Sequence, residues 1–116
     1  MSNTDLIKFL IEKSKEEIVS KNFDEVVKIY SDLFLLTKDY RYKIDIANIY
    51  YKIYNDIETA TRMYEEAKPF LESDSNFWWQ YHEIQLNKKK YYEATYCVYK
   101  ALEDVDIDSE EDNING

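Results

Sequence analysis

The stretch Asn55-Asp56-Ile57-Glu58-Thr59-Ala60-Thr61-Arg62-Met63-Tyr64-Glu65-Glu66-Ala67 decides how this chain is read. Ile57, Ala60, Tyr64 and Ala67 are spaced three, four and three residues apart, which puts them on one face of an α-helix. Moving 34 residues forward gives Tyr91, Ala94, Val98 and Ala101; moving 34 back gives Phe23, Val26, Tyr30 and Leu33. One helix face thus occurs three times at a fixed interval with no insertion or deletion, the mark of an internal repeat.

Each repeat reads as two helices. The first helices fall near 4–20, 40–54 and 75–88, and the second near 23–37, 57–71 and 91–104. Asn22, Asn55-Asp56 and Asn87 mark the turns within the pairs, Asp74 or Ser75 caps the third first helix, and Pro69 weakens the end of the helix before it. A lone helix pair cannot bury its apolar face, so the pairs must stack, and three is about the minimum. The expected domain is an all-α stack over residues 1–104, with repeats at about 5–38, 40–73 and 75–104 and a disordered acidic tail at 105–116.

Composition agrees. Among 116 residues there is one Gly and one Pro, too few for most β architectures and incompatible with a Gly-rich phosphate loop. One Cys and one His leave neither a disulfide framework nor a Cys/His zinc set, so no cofactor or metal is expected. Of the 24 acids, seven lie in residues 103–116 with no base among them, leaving 17 acids against 15 bases in the body. A near-neutral body with an acidic tail argues against direct nucleic-acid contact. No stretch is apolar enough to span a membrane, no signal peptide is expected at the N-terminus, and the lone thiol Cys97 fits a cytoplasmic or nuclear location.

Residues 55–67 resemble the second-helix pattern of the half-a-tetratricopeptide (HAT) subclass of tetratricopeptide repeats, with Asn55 at the turn Gly and Arg62 one place late. Trp78-Trp79-Gln80-Tyr81-His82-Glu83-Ile84 is similar to the first-helix pattern of the same subclass. The resemblance covers about 40–104, while residues 5–37 follow by periodicity alone. It implies a right-handed α-solenoid that scaffolds RNA-processing or ribosome-associated assemblies.

In that fold the first helices line the concave face, placing Tyr42, Asp45, Ile46 and Ile49, then Trp79, Gln80 and Glu83, toward a bound partner. At the places of a tetratricopeptide carboxylate clamp stand Ile11, Lys15, Ile46, Asn76 and Gln80, of which only Lys15 is basic, so an extended, partly apolar peptide is the better ligand. Trp78 lies in the packing frame, and its neighbour Trp79 is turned by about 100° and expected to be more exposed.

On the last helix, Tyr92, Tyr96 and Tyr99 form a stripe where the earlier repeats carry Asp24, Lys28 and Ser31, then Glu58, Arg62 and Glu65. A polar face has become aromatic at the end of the stack. Three occupants are open for it: another protein, a second copy forming a homo-oligomer, or the folded-back tail. Ser109, in Asp108-Ser109-Glu110-Glu111-Asp112, is a candidate modification site for an acid-directed kinase.

Cys97 reads as a buried structural thiol and His82 as a gap filler. Asp104, Asp106 and Asp108 begin like a calcium loop that lacks its turn Gly and its final Glu. With no catalytic constellation, the expected function is a non-enzymatic protein–protein interaction scaffold or adaptor. The alternatives are an acidic decoy occupying a basic nucleic-acid site of a partner, and a peptide-sensing regulator.

Overall fold

Side-chain caps and left-handed turns set where each helix begins and ends. A computed structural model describes the backbone of residues 2–115 and the side chains of residues 2–103. The described residues form six α-helices and no strand: α1 (Asn3–Val19), α2 (Phe23–Thr37), α3 (Arg41–Lys52), α4 (Ile57–Ala67), α5 (Ser75–Asn87) and α6 (Tyr91–Asn115), with one 3₁₀ turn at Lys68–Phe70. The acidic segment beyond Glu103, including Ser109, lies outside the described side chains.

Ser2 caps α1 by accepting the Asp5 N–H at 3.2 Å. Asp56 caps α4, accepting the Thr59 N–H at 3.1 Å and the Thr59 hydroxyl at 2.6 Å. Asp74 caps α5 through the Asn76 and Phe77 N–H groups. Asp39 holds the start of α3 by accepting both the Arg41 N–H and its guanidinium, and this pairing keeps the Asp39 carboxyl below the usual range. α4 stops at Ala67, short of the 71 expected from sequence, because Pro69 has no N–H to continue the ladder and the chain tightens into the 3₁₀ turn.

The second helices α2, α4 and α6 start at Phe23, Ile57 and Tyr91, at equal intervals of 34 residues. The turns before them share a backbone device. Lys21, Asn55 and Lys89, again 34 apart, have φ of 59°, 55° and 60°. The Asn22 N–H reaches the Glu17 carbonyl and the Lys90 N–H the Gln85 carbonyl, each at 2.9 Å, closing a left-handed helix end in both turns. Asn22 and Asn87 mark these turns in the sequence, yet neither takes the left-handed conformation: Asn22 is the N-cap of α2 and Asn87 the last residue of α5.

The chain divides into two compact units, Met1–Phe70 and Leu71–Gly116. In the first, α1 packs on α2, α2 on α3 and α3 on α4. Val26, Leu33, Ala47, Ala60, Tyr64 and Ala67 are fully sealed there. In the second, α5 packs on α6, with Phe77, Trp78, Ile84, Ala94, Cys97 and Ala101 buried. The fourth position of the helix-face pattern does not join these cores. Phe23 and Ile57 are half-buried and Tyr91 is exposed, because each opens its helix at the end of the packed contact.

Two tyrosines brace the first unit. The Tyr64 hydroxyl donates to Asn48 Oδ1 at 2.6 Å, joining α4 to α3. The Tyr54 hydroxyl also donates to Asp24, a link from the end of α3 to α2 that pushes the phenol up to about 12.

A non-Gly residue at positive φ is disfavoured by its Cβ. Lys21→Gly and Lys89→Gly should therefore each stabilise the chain by about 0.5–1 kcal/mol in thermal melts, and Asn55→Gly by less, because Asn tolerates this conformation better.

Candidate protein-docking face

α6 begins directly after the left-handed turn at Lys89 and seats Ala94, Cys97 and Ala101 against α5. With 3.6 residues per turn, residues on the far side must point to solvent. Tyr92 is 92% exposed, Tyr99 75%, Tyr91 62% and Tyr96 58%. A shallow hollow of about 200 Å³ is lined by Tyr91, Tyr92 and Thr95. Tyr96 is the least exposed because its ring meets the edge of Trp78 at 5.8 Å. Lys100 lies over the Trp78 ring at 6.0 Å and pairs with Glu103 at 3.0 Å, a hydrogen bond that raises its pKa.

The two tryptophans diverge. Trp78 is 3% exposed and its indole N–H donates to the Glu72 carbonyl at 2.9 Å, whereas Trp79 is 42% exposed and meets His82 edge-on at 6.1 Å. His82 is half-buried, and its Nδ1 lies 3.1 Å from the Ala94 carbonyl, which accepts from it. Glu83 is exposed.

Of the residues read onto a concave face of α3, Ile46 and Ile49 are buried and serve as core. Tyr42 is half-buried with its ring 5.9 Å from Tyr30. Asp45 still meets solvent at its surface, yet desolvation by the surrounding protein pushes its carboxyl up to about 6; Asp39 adds to the shift and Arg41 opposes it. Desolvation raises the Tyr30 and Tyr42 phenols, with Asp45 adding to both shifts and Asp39 to that of Tyr42.

Sequence reasoning missed a second aromatic surface in the first unit. Tyr40 stacks on Phe70 with ring centroids 3.9 Å apart and meets Phe34 edge-on at 4.9 Å. Lys43 lies over Phe34 at 5.0 Å and pairs with Glu66 at 3.5 Å. A hollow of about 260 Å³ beside it is lined by Ser31, Phe34, Leu35, Lys43, Ile46 and Met63. Its signal in the sequence is Leu35, an exposed apolar residue outside the helix-face pattern.

Cys97 is buried. Among the described residues no three His, Cys, Asp or Glu side chains converge on a metal position, and no helix is long and apolar enough to cross a membrane. The Asp104–Asp108 segment lies outside the described side chains. Compared with known proteins, the chain matches no family model and no curated protein.

The raised Asp45 carboxyl costs stability only while it is ionised. That cost is present above the folded pKa near 6 and disappears as pH falls below about 3, where the carboxyl is protonated in both states. Asp45→Asn should therefore stabilise the protein at pH 7 to 8 by about 1 kcal/mol, after allowing for solvent screening, and leave it unchanged at about pH 3. Denaturant melts across that range provide the check.

Proposed function

We propose that this chain is a non-catalytic protein–protein interaction module, a short right-handed α-solenoid of three 34-residue helix pairs that docks a partner on its last helix. The observation that carries the reading is the contiguous phenolic stripe of Tyr92, Tyr96 and Tyr99 on the solvent side of α6. A packed helix has no structural need for rings there. Tyrosine combines a large apolar face with a hydroxyl that stays hydrated until a partner arrives, which is why it is enriched at interface hot spots.

The equal spacing of the second helices and of the left-handed turns favours the helix-pair repeat. The HAT resemblance makes an RNA-processing or ribosome-associated complex the setting, reached through protein contacts.

Tyr92→Lys with Tyr99→Lys is the direct test, because both side chains are exposed. Affinity capture from source cells, with and without ribonuclease, should recover a defined partner with the native chain and lose it with the double variant. Circular dichroism and melting temperature should not change, since truncating a hot-spot residue costs binding about 2 kcal/mol or more while these rings contribute little to folding. Equal capture by both chains would remove the stripe as the docking face.

A further inference from the structure

We propose that the occupant of the α6 face is a second copy of this chain, the two helices running antiparallel about a two-fold axis near Tyr96. The inference rests on the reading of that face as a docking surface and specifies its partner. Tyr92, Tyr96, Tyr99 and Glu103 are spaced four, three and four residues apart, the spacing of a seam along which two helices pack side by side.

The charges along this seam are arranged end to end. Lys88, Lys89 and Lys90 precede the first tyrosine, with Lys89 and Lys90 exposed. Exposed Glu103 closes the seam, and the chain continues from it with six more acids and no base. A parallel pair would set lysine against lysine and acid against acid. An antiparallel pair centred on Tyr96 sets the lysine run of each copy against Glu103 of the other, twice over, as a two-fold interface requires. In this register Tyr96 meets its own counterpart, and Tyr92 lies opposite Lys100, so that ring and ammonium can stack.

Residues 91–103 span about 20 Å of helix. One such pair buries an area at or below the low end for stable complexes, about 1,200 Å², so the dimer is weak and reversible.

The test uses the full chain. Sedimentation equilibrium from about 1 µM to about 1 mM should show a monomer–dimer equilibrium that weakens with added salt. Tyr92→Lys with Tyr99→Lys should weaken association at least tenfold, with the circular-dichroism spectrum unchanged, and Lys89→Glu with Lys90→Glu should weaken it by a similar factor. Under mild oxidation Tyr96→Cys should cross-link to itself and Tyr92→Cys should not.

A chain that stays monomeric at about 1 mM overturns the proposal, as does a dimer indifferent to the tyrosine substitutions. Cross-linking of Tyr92→Cys as fast as Tyr96→Cys overturns the antiparallel register. If the native chain is monomeric but the tyrosine variant loses a captured partner, the second-copy assignment falls and the docking face stands. If the variant loses neither, both fall.

Discussion

Two small or apolar positions on each second helix, seven residues apart, are sealed from solvent: Val26 and Leu33 on α2, Ala60 and Ala67 on α4, Ala94 and Ala101 on α6. Side-chain size at such a contact sets how closely two helix axes approach. On α4 and α6 both positions are Ala, so the backbones of α3 with α4 and of α5 with α6 can come close. Fixing one side of a helix also fixes the opposite side. Once Ala94, Cys97 and Ala101 are turned inward, Tyr92 and Tyr99 have no direction left but outward.

A second constraint acts through hydrogen bonds. The Tyr64 hydroxyl donates to Asn48 and braces α4 against α3 in the first unit. A buried hydroxyl needs a partner, and Asn48 on α3 supplies the one for Tyr64. In the second unit, 34 residues further along the chain, stand Val98 and His82. Val98 has no hydroxyl to satisfy, and His82 turns instead to the Ala94 carbonyl. The imidazole therefore ties α5 to α6 in the second unit.

Tyrosine also explains how the exposed face coexists with a charged, hydrated surface. A stripe of Leu or Phe at residues 92, 96 and 99 would present unrelieved apolar area to water, whereas each phenol keeps its hydroxyl solvated. The lysines before the stripe and the acids after it bound it on both ends and give it a direction along the helix axis.

The sequence alone determined the helical architecture of the described residues and the 34-residue interval between the starts of the second helices, because four and three spacing places Ala60, Tyr64 and Ala67 on one side of a helix. It also separated Trp78 from Trp79, since a 100° rotation per residue is local geometry. Tertiary structure decided the rest. Ile46 and Ile49 share their helix with exposed Asp45, and only the packing of α3 against its neighbours on two sides made both isoleucines core. Lys21 and Lys89 give no compositional sign of a left-handed turn; the closure of the helix ends demanded one there. The Tyr40–Phe70 stack and the hollow beside Phe34 join residues from separate helices and a 3₁₀ turn. Periodicity describes one helix at a time, and such contacts exist only once the helices are packed.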